Sequence, residues 1–300
     1  MMRASLGIWM AAGALTLGAG ASAHAADYDA REWGVLDLQD GGGTLRTEAP
    51  PQPRERIVKA PVLYFTTRDR QPFSLTVSFP HGSPLETYPQ ALTAAASLAW
   101  TRVEFVGEGA TPTAAPVPDC AAGLVQALGQ VAAAPLLARG QATRFLYYEA
   151  LAELEAPLTA RWDGQRLILS NRGTAAIGPI SVSTNDGSWL RSELGYASWK
   201  ALKPGASATL DLQPDDQAAA FPDLRRWGFA DAEAAAFEAY WRMPLLHPRR
   251  QHPWAKALYR LPPPLCDQVA QLGFDPAPKA LTRALFVLQD LPPRPRPGRP

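Results

Sequence analysis

The sequence predicts a mainly β protein, α+β in class, built of β-sandwich modules with a C-terminal helical segment. Three observations lead there. Short stretches alternate apolar and polar residues, most strictly Phe73-Ser74-Leu75-Thr76-Val77-Ser78-Phe79. Turn signals separate these stretches, and 30 Pro with nine Trp suit strands joined by irregular loops better than a helix bundle. A single clear helical pattern comes late, from Asp231.

Taken in order, Arg31 to Leu38 reads as a first strand, ended by Gly41-Gly42-Gly43. Ala60 to Thr66 is the next, with Pro61 at its start, where a missing N–H is tolerated. The Phe73–Phe79 strand turns at Pro80-His81-Gly82, and Leu98 to Val106 alternates through Leu98, Trp100 and either Arg102 or Val103. Residues 107–118 form a loop. Cys120 to Leu137, rich in Ala and Leu, suits a helix stopped by Pro135, and Arg144 to Tyr148 returns to strand. Pro157 to Trp162 and Arg166 to Ser170 flank Asp163-Gly164, a hairpin signal. Ile177 to Ser183 and Ala208 to Leu212 add strands at a spacing that suggests an immunoglobulin-type sandwich, without the Cys…Trp…Cys hallmark. Asp231 caps a helix that Pro244 ends, with Phe237, Tyr240 and Trp241 as one apolar stripe. Leu281 to Leu288 reads as a last strand or a short helix, and residues 292–300, with five Pro, three Arg and one Gly, as a disordered tail. The expected division is a signal peptide (1–25), an N-terminal β-rich domain (26–150), a sandwich-like domain (151–291, helix 231–243) and the tail.

The first 25 residues carry the address. Arg3 supplies positive charge, Leu6 to Leu17 is uncharged and apolar, and Ala23-His24-Ala25 fits a signal peptidase, with cleavage after Ala25 or Ala26. The apolar run is about 12 residues, against about 20 for a membrane span. No second run is long enough, so the mature chain is expected to be periplasmic or secreted, without a transmembrane anchor. Cleavage removes Arg3 and leaves 28 Lys+Arg against 28 Asp+Glu. With no basic surplus to neutralise phosphates, nucleic acid is an unsuitable partner. Cys120 and Cys266 are expected either to form a disulfide across a long loop or to stand as two buried thiols.

Several segments together resemble a family of uncharacterised secreted bacterial proteins. The resemblance runs through Glu32-Trp33-Gly34, Ala60-Pro61-Val62-Leu63-Tyr64-Phe65, and Val77-Ser78-Phe79-Pro80-His81-Gly82 followed by Glu86-Thr87-Tyr88-Pro89. It continues at Leu98-Ala99-Trp100, Ala133-Ala134-Pro135-Leu136, Arg144-Phe145-Leu146-Tyr147-Tyr148, Tyr240-Trp241-Arg242 and Pro276-Ala277-Pro278. The chain departs from the family pattern at Val131-Ala132 and at Glu149-Ala150. The resemblance implies export and a shared β-rich fold, and no chemistry.

Familiar catalytic signatures are missing: there is no G-x-S-x-G, P-loop, G-x-G-x-x-G, H-E-x-x-H or EF-hand loop. No cofactor is expected. Glu32 is the leading carboxylate, a general acid or base if its pKa is raised, a structural ion pair with Arg102 or Arg144 otherwise. Glu86 is a second candidate. Trp33, Tyr88 and Trp100 are candidate ligand-binding aromatics, and Tyr147, Tyr148 and Trp162 could stack on a sugar, although strand aromatics are more often core. His247 and His252 have a spacing that could ligate a metal, but Arg249 and Arg250 lie between them and make a cation site electrostatically poor. His81 fits a turn. The function expected is a non-enzymatic binding or accessory role in the envelope, through sandwich loops, toward an envelope protein or small ligand. The alternatives are a glycan hydrolase with paired carboxylates, and a metal-binding accessory protein.

Overall fold

A computed structural model describes residues 26–38, 55–67, 70–107, 116–117, 119–185, 194–214, 221–246 and 254–295. The signal segment and both His247 and His252 lie outside the described residues. Strands β1 (Ala26–Leu38), β2 (Glu55–Thr67), β3 (Phe73–Ser78), β4 (Gly82–Tyr88), β5 (Leu92–Ala94) and β6 (Ser97–Phe105) come first. Helix α1 (Asp119–Ala127) leads to β7 (Leu136–Ala138), β8 (Gln141–Thr143) and β9 (Leu146–Glu153). Then follow β10 (Leu158–Asp163), β11 (Arg166–Asn171), β12 (Ile180–Asn185), β13 (Leu194–Trp199) and β14 (Ser207–Leu210). Helix α2 (Asp231–Leu246), β15 (Trp254–Arg260), α3 (Pro263–Val269), β16 (Gln271–Asp275) and β17 (Pro278–Leu291) complete the order.

The mainly β class is what the chain adopts. Eight strands form one sheet in the order β13-β12-β15-β17-β1-β2-β9-β4. Its one face packs on two smaller sheets, β10-β11-β14 and β16-β3-β6-β7-β8, through a large apolar core that includes Phe65, Phe73, Val77, Trp100 and Val287. Its other face carries α1 and α2 over a second core of Trp33, Val35, Phe237, Trp241 and Phe286. The sheet draws β1, β2, β4 and β9 from before residue 155 and β12, β13, β15 and β17 from after it. The expected boundary at 150 therefore does not interrupt the sheet: β9 crosses it. β1 is the centre, parallel to β17 on one side and antiparallel to β2 on the other.

Two strands bend where the sequence is irregular. Trp33 faces Val62 but Val35 faces Lys59, so Gly34 opposes two residues of β2. Pro61 lies inside β2 at this bulge, not at the strand start, which is where a residue without an N–H is accommodated within a sheet. A Cβ on Gly34 would stand 2.7 Å from Pro61 Cα, so the two residues need each other's shape. In β6 the register slips between Phe73–Val103 and Leu75–Trp100, and Arg102 takes φ 53°. That slip settles the alternation in favour of Val103, which is buried.

Other elements shift in detail. The N-terminus of α2 is closed by Glu233, which accepts from the Ala230 N–H, while Asp231 pairs with Arg225 at 3.2 Å. Ala230, whose carbonyl accepts from the Glu233 and Ala234 N–H groups, thus holds the N-cap position expected of Asp231, and Glu233 reaches back to it from the first turn. The helix does not end before Pro244 but continues to Leu246. The 281–288 stretch is strand. The tail is laid down as far as residue 295: Trp162 Nε1 donates to Pro292 O at 2.8 Å, and the Arg294 guanidinium stands 5.9 Å from the Trp162 ring centre.

Of the two states expected for Cys120 and Cys266, the disulfide does not form. Cys266, on α3, is a free buried thiol in the inter-sheet core. Cys120 belongs to α1, whose Leu124 packs in the core on the other face of the sheet, and its side chain lies outside the described residues.

Candidate functional site

Alternation along β1 sends neighbours to opposite faces, and two adjacent charges go with it. Arg31 points to the helix face, where its Nη1 meets Glu233 Oε2 at 3.0 Å and donates to Gly228 O at 2.7 Å. Glu32 points to the inter-sheet face and has no solvent exposure. Its partner is neither Arg102 nor Arg144. Arg102 is exposed and pairs with Glu104 at 2.7 Å, and Arg144 donates to Ala133 O at 3.1 Å. Arg283, directly opposite Glu32 on β17, donates from Nε to Glu32 Oε2, and Tyr148 OH donates to Glu32 Oε1 at 2.8 Å.

Arg283 is used from every side. Its Nη1 donates to Asp267 Oδ1 at 2.8 Å and its Nη2 to Ala270 O. Burial is the largest single influence and opposes the guanidinium charge, but Glu32 together with Tyr148 and Cys266 outweighs it and holds Arg283 above its ordinary value. Burial, then the Glu32 charge, pushes the Tyr148 phenol well above its own. Burial likewise raises the nearby Cys266 thiol to about 11. A buried ion pair in which both carboxylate oxygens and each of the three guanidinium nitrogens are engaged is a tie between elements. This one joins β1, β9 and β17 to α3 and to Ala270, which precedes β16. It leaves no oxygen of Glu32 without a donor, and Glu32 itself has no solvent exposure.

Glu86 does not join this cluster. It faces Glu149 across β4 and β9, beside the Tyr88–Tyr147 pair that belongs to the helix-face core, so it points to the opposite side of the sheet from Glu32. The two strands stand three places apart in the sheet, roughly 14 Å at ~4.8 Å per strand. Trp33, Tyr88 and Trp100 are buried aromatics of the two cores. Trp33 meets Phe237 edge-on at 5.5 Å, Tyr88 lies 5.3 Å from Phe145, and Trp100 Nε1 donates to Pro89 O at 2.7 Å. Tyr147 OH bonds Glu149 at 2.6 Å. His81 is exposed, in the expected turn. Among the described residues, no group of three or more His, Cys, Asp and Glu is placed to hold a metal ion, and no helix is long and apolar enough to cross a membrane.

A second polar set emerges only from the register. Tyr196, Ser183, Lys256 and Asp290 lie directly opposite one another across β13, β12, β15 and β17. Lys256 Nζ is 3.6 Å from Asp290 Oδ1, and Asp37 on β1 shares this face. Ser183 is 1% exposed, and neither its Oγ nor the Tyr196 OH has a hydrogen-bond partner. The alternating serines of Ile180-Ser181-Val182-Ser183 are the trace of this face in the sequence, within the strand expected over Ile177 to Ser183. Comparison with protein families and with curated proteins finds no match to this chain.

Proposed function

We propose that this chain is an exported envelope protein, periplasmic or secreted and related to the secreted bacterial family it resembles, that binds a partner and does not catalyse a reaction. One observation carries the reading: the carboxylate best suited to catalysis, Glu32, is sealed from solvent with a donor on each oxygen. A general acid or base must reach the proton it moves, and a glycosidase needs two carboxylates facing across a cleft at roughly 5 to 10 Å. Glu32 and Glu86 point to opposite faces. Of the aromatics that would stack on a sugar, Trp33, Tyr88, Trp100, Tyr147 and Tyr148 serve as core instead, and Trp162 alone of that set is half-buried. What remains for recognition is the rim of the sandwich, its loops and the strands at sheet edges.

The test uses the chain lacking residues 1–25 as bait on envelope extract, followed by calorimetry with each purified captured protein. Saturable binding at a fixed stoichiometry, abolished by unfolding the bait, supports the reading. Turnover of peptidoglycan or other envelope glycan that disappears in Glu32→Gln, with the variant folded by circular dichroism, overturns it.

A further inference from the structure

We infer that Trp162 and the outer edge of β10 form a docking surface for an extended, proline- and arginine-rich peptide, and that the chain's own C-terminal segment occupies it in cis. β10 is an edge strand of the three-stranded sheet, so one of its sides has no strand partner among the described residues. Leu158, Ala160 and Trp162 share its inward face, and Trp162 is half-buried against the inter-sheet core. Gln289 Nε2 donates to Leu158 O at 2.8 Å, and three residues later Pro292 O accepts from Trp162 Nε1 at 2.8 Å. The segment therefore runs in the same direction as β10.

The chemistry of this contact is selective. Pro292, Pro293 and Pro295 have no N–H and cannot extend a β-ladder. Proline fixes φ, and each residue before a proline is biased to extended backbone, so Pro292-Pro293-Arg294-Pro295 is pre-set toward the polyproline II form. Such a segment presents carbonyls outward, and an indole N–H beside a flat apolar ring is the group that reads them. The Arg294 guanidinium 5.9 Å from the same ring centre adds a cation–π contact that favours Arg in this position. A partner bearing the same pattern competes with the tail for Trp162. This deepens the binding reading by naming a partner chemistry; its failure leaves that reading, which rests on Glu32, standing.

The test is fluorescence anisotropy of a labelled peptide, LPPRPRPGRP, titrated with the full chain at 0.15 M salt. The wild type is compared with a chain carrying Pro293→Gly and Arg294→Ser, which loosens the tail and leaves the sheet intact. The loosened chain is expected to bind at least ten-fold more tightly than the wild type. Adding Trp162→Phe, which keeps a ring and removes the N–H, should weaken that binding at least five-fold. A peptide with every Pro replaced by Gly, equal in charge, should bind at least five-fold more weakly. Equal binding by wild type and loosened chain, no binding by either at 1 mM, or indifference to Trp162→Phe or to the Gly peptide overturns the inference. A wild-type dimer that Trp162→Phe dissolves would also overturn it, in favour of a second copy's tail.

Discussion

Replacing Arg283 by Met should be among the most damaging conservative substitutions in this protein, and more damaging than Glu32→Gln. Arg283→Met leaves the Glu32 carboxylate in a site without solvent exposure, with Tyr148 as its one remaining donor. Breaking a buried ion pair from one side typically costs about 3–5 kcal/mol. It also cuts the bonds to Asp267 and Ala270 that hold α3. Glu32→Gln is milder, because an amide oxygen still accepts from Arg283 and Asp267 remains 2.8 Å from the guanidinium; a loss of about 1–1.5 kcal/mol fits a charged hydrogen bond reduced to a neutral one. The double variant removes both charges together and should fall short of the summed losses by about 1–3 kcal/mol. The assay is equilibrium urea unfolding at pH 7, followed by circular dichroism and by Trp fluorescence. If Arg283→Met is too unstable to fold, the double variant folding better than it carries the same meaning. Arg283→Met within about 1 kcal/mol of wild type, or losses that add within about 0.5 kcal/mol, would refute the reasoning.

The Cys266 thiol is raised by burial to about 11, above its unfolded value of 9.0, so the stability it contributes is full below pH 9 and is lost as pH climbs through 11. At ~1.4 kcal/mol per unit the loss attributable to it by pH 11 is about 2–3 kcal/mol, measured as the part of the alkaline destabilisation that Cys266→Ala abolishes. Without a disulfide, iodoacetamide should label Cys266 in the denatured, unreduced chain and leave it untouched in the folded one at pH 8; mass spectrometry reads both, and an unlabelled denatured Cys266 would mean that it is bonded. Gly34→Ala forces a methyl group to 2.7 Å from Pro61 Cα, a backbone atom that cannot turn aside. It should cost about 1–3 kcal/mol in the same urea assay, whereas an effect below 0.5 kcal/mol would mean that the bulge yields.

The strands whose alternation is strict were legible: Phe73, Leu75, Val77 and Phe79 all point into the core as their period requires. So was the α2 stripe, with Phe237 and Trp241 buried on the sheet. What escaped was whatever depends on pairing between distant segments. β15 is buried at six consecutive positions and so has no alternation to read, and β16 alternates over five residues only. Glu32 was legible as the charge to watch, but its partner was not, because Arg283 lies 251 positions away and only the parallel register brings it opposite. The segments that resemble the secreted family now have a physical account. Glu32 makes the ion pair, Trp33 supports α2, Gly34 admits Pro61, Tyr148 reaches back to Glu32, and a Cβ on Gly82 would stand 2.0 Å from Leu151 O.

The parallel pairing of β1 with β17 has a consequence for the order in which the molecule can be made. The first described strand and the last are neighbours at the centre of the large sheet, and their pairing closes a loop of nearly the whole described chain. Such distant pairings form late and slowly. Until residues 278–291 are available, β1 has β2 on one side and a bare edge on the other. A nascent or prematurely ended chain therefore stays open at its centre, and a C-terminal deletion reaching β17 splits the sheet in two where a cut at β13 or β4 would only trim a border.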